Sequence, residues 1–145
     1  MSRLIRRAAV TALRAEGVDV PCQVEIRITD DEGIHELNRE YRAVDRPTDV
    51  LSFPLQELSP GQFAADPAEL DPRTGRLWLG DMVISAQRVR SQAKEFGHST
   101  AREAAYLTVH SILHLLGYDH VDEGEMKKAM RAREDDILSS MGLMR

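Results

Sequence analysis

The chain has 145 residues, 42% of them apolar and 30% charged, which is ordinary globular composition for one compact domain over 1–145, and its apolar runs fall far short of the ~20 residues of a membrane span. Cys22 is the single cysteine, which excludes an internal disulfide and fits a reducing, cytoplasmic setting, and Arg3, Arg6 and Arg7 are followed by no secretory pattern. The net charge of −5 speaks against a nucleic-acid binder only on average, because residues 30–72 carry −8 while residues 73–102 carry +4, and screening lets a local basic groove persist.

In chain order, Ser2 to Glu16 predicts an amphipathic helix with Leu4, Ile5, Ala8, Ala12 and Leu13 on one side and Gly17 as its stop. Cys22 to Thr29 alternates, with Val24, Ile26 and Ile28 on one face and Glu25 and Arg27 on the other, and so predicts a strand. Asp30 to Gly33 turns the chain into a helix of about two turns carrying Ile34, Leu37, Asn38 and Tyr41, which Pro47 closes off. Asp49 to Leu55 predicts a second strand and Arg76 to Ile84 a third. Between them residues 56–75, acidic and rich in Pro and Gly, predict a flexible surface loop of a hairpin. Ser85 is expected to cap a helix running to Phe96 and ended by Gly97. Thr100 is expected to open another helix, with Glu103 at the reciprocal capping position. A last helix is expected from about Asp122 to Met141. The pattern predicts one small α/β (α+β) domain with a mixed β-sheet against helices, without repeats or a linker.

The chemistry concentrates in Val109 to His120. His110 and His114 stand at i and i+4, about 40° apart around a helix and roughly 6 Å apart along it, so two imidazoles face one direction. Gly117 then lets the chain turn back, placing His120 to supply a third nitrogen. Three neutral nitrogen donors with one open position is the pattern of a catalytic zinc site. A closed structural zinc would need a fourth ligand; none is obvious, and Cys22 is far away in sequence. A packed or solvent-facing histidine cluster is the bland alternative. His35 and His98 have no such company and read as surface residues. The helix departs from the His-Glu-x-x-His pattern of zinc proteases, because Ser111 stands where their general base would be. Three neutral ligands leave the ion its full charge, which favours an anionic substrate such as a phosphodiester.

The segment His110 to His120, HSILHLLGYDH, resembles the H-G-x-L-H-L-x-G-Y-D-H signature of the YbeY family of ribosomal-RNA-maturing endoribonucleases. Ser111 replaces the usual glycine, a small-for-small exchange. Leu37 to Arg42 with Asp45 to Pro54, and then Leu79 to Ser85, resemble two further blocks of that family in the same order, and the likeness spans roughly residues 20–140. The resemblance implies a small α/β domain with a metalloprotease-like three-histidine helix and turn. It also implies a single-strand endoribonuclease acting in small-subunit (16S-type) rRNA 3′ end maturation and ribosome quality control. The implied metal ligands are His110, His114 and His120, for one Zn2+ per chain, although imidazole also accepts Ni2+ and similar ions. Single-stranded RNA, the small ribosomal subunit and its assembly factors are the implied partners, with neither DNA nor a membrane among them.

Arg42 matches the family's functional arginine, and its guanidinium suits bidentate contact with phosphate oxygens; without the resemblance an ion pair with Asp45 or Glu40 accounts for it. Asp119 is a candidate for the hydrogen bond that orients a ligand histidine, or else for a helix-ending cap. Thr48, Asp49, Ser52 and Phe53 are candidate groove residues along a strand, with Phe53 as a base-stacking surface or simply core. Arg88, Arg90 and Lys94 read as a solvated helix face that could extend the positive charge. A zinc peptidase and a non-catalytic ribosome-associated factor with a structural metal remain the alternative readings.

Overall fold

The computed structural model describes residues 1–119 and 124–143. Its elements are α1 (Ser2–Ala15), β1 (Cys22–Thr29), α2 (Asp31–Arg42), β2 (Val50–Pro54), β3 (Leu77–Ser85), α3 (Ala86–Phe96), α4 (Thr100–Leu115) and α5 (Glu125–Ser140), with a 3-10 turn at Pro67–Glu69. β3 is the central strand, parallel to β1 and antiparallel to β2. This is the small mixed sheet of an α+β domain. Among the described residues no helix is long and apolar enough to cross a membrane.

Strand alternation sorts the side chains onto two faces. Leu51, Val83 and Phe53 pack beneath Ile34 and Leu37 of α2. The other face presents Val24, Ile26, Met82 and Ile84 to α1, α3 and α4. α4 buries 11 of its 16 residues, so it is apolar around most of its circumference and runs through the middle of the helical layer. α5 lies outside it, with Met130, Ile137 and Leu138 in the same core as Leu113 and Leu115.

Local chemistry explains the helix boundaries. Asp30 accepts a hydrogen bond from Gly33 N at 2.8 Å and starts α2 early, so this helix runs three turns rather than two before Ala43 ends it with a left-handed φ of 56°. Ser85 caps α3 as expected, accepting from Arg88 N at 3.1 Å. The cap of α4 differs from the expectation by one residue. Ser99, not Thr100, accepts from Arg102 N at 3.0 Å, and Glu103 turns inward to accept from Gln92 Nε2 at 3.3 Å.

Residues 56–75 connect β2 to β3, as expected of a hairpin loop, but the segment carries structure. Leu58, Phe63, Ala65 and Leu70 pack on the core, and bridges join Ser59 to Gln62 and Leu70 to Leu77. The last helix is described from Glu125, and the predicted start near Asp122 lies outside the described residues.

Candidate metal centre

The last two turns of α4 carry the site. His110 and His114 sit half-buried on one side of the helix, while the intervening Ser111, Ile112 and Leu113 are buried. Their rings meet nearly perpendicular, at 87°, with centroids 4.6 Å apart. The two Nε2 atoms lie 3.1 Å from each other. His110 Nδ1 lies 2.5 Å from Glu134 Oε2, and His114 Nδ1 lies 2.9 Å from the Tyr118 carbonyl oxygen. A carboxylate and a carbonyl only accept hydrogen bonds. In each neutral imidazole the hydrogen therefore sits on Nδ1, which puts a lone pair on each of two Nε2 atoms 3.1 Å apart.

That arrangement fits a metal. Zinc–imidazole bonds of about 2.0–2.1 Å at tetrahedral angles place two donor nitrogens about 3.3 Å apart, close to the observed separation. Among the described residues no set of three His, Cys, Asp or Glu side chains converges, and the third predicted donor, His120, lies outside the described residues. Gly117 makes the turn that leads toward it, with a φ of 104°. A Cβ at Gly117 would stand 2.2 Å from the Leu58 carbonyl oxygen, so the 56–75 loop closes on this turn where only glycine fits.

The histidines face a groove of about 950 Å³ whose walls include Arg42, Thr48, Asp49, Ser52 and Asp119. Arg42, at the end of α2, donates from Nη2 to the Ser52 carbonyl, and its guanidinium carbon lies 5.3 Å from the centre of the Phe53 ring. The alternative of a local ion pair is not what holds Arg42 among the described residues; Asp45 pairs with His35 at 2.8 Å. The Ser52 hydroxyl lies 2.7 Å from the Ser111 hydroxyl, bonding β2 to α4 beside the first histidine. Asp49 is committed to the protein: Oδ1 accepts from Val50 N at 2.7 Å and from Thr48 Oγ1 at 3.4 Å, and Oδ2 from Gln92 Nε2 at 3.3 Å. Phe53 does not line this groove. Alternation along β2 puts it on the opposite face, where it meets Tyr41 edge-on at 5.7 Å and borders a second hollow of about 340 Å³ with Glu25, Arg27 and Asp81. Arg88 pairs with Asp31 at 3.5 Å, and neither Arg88, Arg90 nor Lys94 lines the groove among the described residues.

Asp119 is an exposed residue of the groove wall. For His110 and His114 the Nδ1 acceptors are Glu134, which the sequence reading does not single out, and the backbone of Tyr118; a bond from Asp119 to the third histidine, His120, lies outside the described residues. Tyr118 is itself fixed: its hydroxyl donates to Glu16 Oε1 at 2.6 Å, and Glu16 Oε2 accepts from Arg133 Nε at 2.7 Å. Burial and this hydrogen bond push the Tyr118 hydroxyl up to about 12. The only hint in the sequence was an acidic residue within an otherwise apolar stripe of the last helix.

A family profile described as Endoribonuclease YbeY matches residues 1–142. The chain is 51% identical over 145 residues to a protein named Endoribonuclease YbeY from Chloroflexus aurantiacus, covering 99% of this chain and 89% of that one. A protein of the same name from Pelotomaculum thermopropionicum is 49% identical, with coverage of 100% and 89%. Among solved structures, the solution structure of TM1509 from Thermotoga maritima superposes with a TM-score of 0.59 at 27% identity, covering 97% of this chain and 85% of that one.

Proposed function

The chain belongs to the YbeY family, and from that premise we propose that it is a zinc-dependent endoribonuclease that cuts single-stranded RNA in the maturation of small-subunit rRNA. The observation that carries the reading is the pair of Nε2 atoms 3.1 Å apart, on a groove wall shared with Arg42. His110, His114 and His120 would hold the ion. When bound, it supplies a Lewis acid that draws charge from the scissile phosphate.

The chain's own groups do the rest. One guanidinium donor of Arg42 is spent on the Ser52 carbonyl, which fixes the fork against β2, and the others are left for phosphate oxygens. Their positive charge stabilises the extra negative charge that gathers on oxygen as phosphorus becomes five-coordinate. Asp49 and Thr48 hold the start of β2 in place and so shape the groove. The position after His110, where a zinc peptidase carries its glutamate base, holds Ser111, fully buried and bonded to Ser52; this favours the nuclease over the peptidase.

Cleavage of a short single-stranded RNA before and after chelation, alongside elemental analysis, tests the proposal. Activity is expected to vanish with the metal and to return with zinc, and His114→Ala is expected to be inactive though folded. Cleavage that survives complete metal removal overturns the mechanism. Mass spectrometry of the products identifies the nucleophile, since 2′,3′-cyclic phosphate ends would assign it to the RNA's own 2′-hydroxyl rather than water.

A further inference from the structure

We propose that Glu134 is a positioning residue of the metal centre: by accepting the His110 Nδ1 hydrogen it fixes that ring's tautomer and aim, which makes α5 part of the centre although no described α5 residue lines the groove. The inference rests on the metal-site reading above. Glu134 is 5% exposed, and an ionised carboxylate is costly to bury unless a specific partner compensates. Helix docking does not require it. Met130, Ile137 and Leu138 already seat α5 in the core. The neighbouring Arg133 ties α5 to the end of α1 through Glu16 at 2.7 Å and the Ala15 carbonyl at 3.1 Å. A carboxylate at this place holds the hydrogen on Nδ1, turns the Nε2 lone pair toward His114, and sets a negative charge behind the ligand that a neutral amide would not supply.

The test uses the full chain with Glu134→Gln, Glu134→Leu and Ile137→Val, each checked for folding by circular dichroism. Zinc affinity is measured by competition with a chromophoric chelator, and the His110 tautomer by nitrogen-15 NMR of the metal-free protein. Both Glu134 variants are expected to bind zinc about tenfold to a hundredfold more weakly. In Glu134→Leu, His110 is expected to shift from the Nδ1–H form toward the Nε2–H form. Ile137→Val, which loosens the packing of α5 in the core without touching any group bonded to the histidines, is expected to melt at a lower temperature yet hold zinc within about twofold of the parent. If the Glu134 variants match the parent in zinc affinity and tautomer, the proposal is wrong while the metal site stands. If Ile137→Val loses zinc as severely as Glu134→Gln, the effect belongs to helix docking and the proposal is again wrong. A parent protein that takes up no zinc overturns the metal-site reading and this inference with it.

Discussion

Arg42 is exposed, so changing it leaves the core untouched. Arg42→Lys keeps the charge but replaces the planar fork with a point donor that cannot hold the Ser52 carbonyl and a phosphate together. Single-turnover cleavage of a short RNA is expected to slow about a hundredfold, the usual effect of losing one donor aimed at developing charge. A lysine variant as fast as the parent would remove Arg42 from the reaction. Ser111 makes a different demand. Its side chain is buried and bonded to Ser52, so Ser111→Ala is expected to cost about 1 kcal/mol in urea unfolding with zinc affinity unchanged. A loss of zinc instead would place Ser111 in the centre. The sequence made the two helix histidines legible because i, i+4 spacing is local. The Ser52–Ser111 bond joins positions 59 apart and the Glu134–His110 contact positions 24 apart, and neither separation leaves a periodic trace.

Two junctions between elements carry testable strain and charge. Gly117→Ala would place a Cβ in a left-handed turn against the Leu58 carbonyl, and the α4 terminus and the 56–75 loop would have to part. A loss of about 3 kcal/mol is expected, seen as a lower Tm; an unchanged Tm would mean that the loop does not close on α4. Where α3 meets α4, burial pushes the Glu103 carboxyl above its usual range; the hydrogen bond from Gln92 and the charges of His98 and Arg102 pull it down, and Asp49 raises it further. A carboxyl whose folded pKa is raised binds its proton more tightly in the native state. Its contribution is therefore complete below the unfolded value of about 4.3 and fades as pH rises through the folded value. Glu103→Gln is expected to exceed the parent in stability at neutral pH and to converge with it in acid, as read from urea midpoints across pH. A less stable variant at pH 7 would refute this. The sequence made element types readable from their alternation and helical period, yet it misplaced the α4 cap by one residue because Ser99 and Thr100 are chemically equivalent candidates. Only the inward turn of Glu103 separates them.

For the whole molecule, the decisive quantity is the charge of the groove. Among its described lining residues Arg42 is the only arginine or lysine, against the carboxylates of Asp49, Glu57 and Asp119, on a chain of net charge −5. Metal-free protein is therefore expected to bind RNA at least about tenfold more weakly than zinc-loaded protein in fluorescence anisotropy. Equal affinities would mean that RNA is gripped elsewhere. The sequence did reveal an uneven charge, and its reading of Arg88, Arg90 and Lys94 as a solvated helix face agrees with a groove whose described lining includes none of them. The exposed border of β2 has a further consequence. Asp49 O and Leu55 N point to β3, so alternation turns the backbone groups of residues 50, 52 and 54 outward into the groove. Left unpaired, a row of this kind would invite a strand from another molecule, but Val50 N already donates to Asp49 Oδ1. Pro54 has no amide hydrogen to offer, and Arg42 already occupies the Ser52 carbonyl. The arginine proposed to grip phosphate thus also covers part of the sheet edge, and Arg42→Ala is expected to self-associate more readily in size-exclusion chromatography as well as to cleave more slowly.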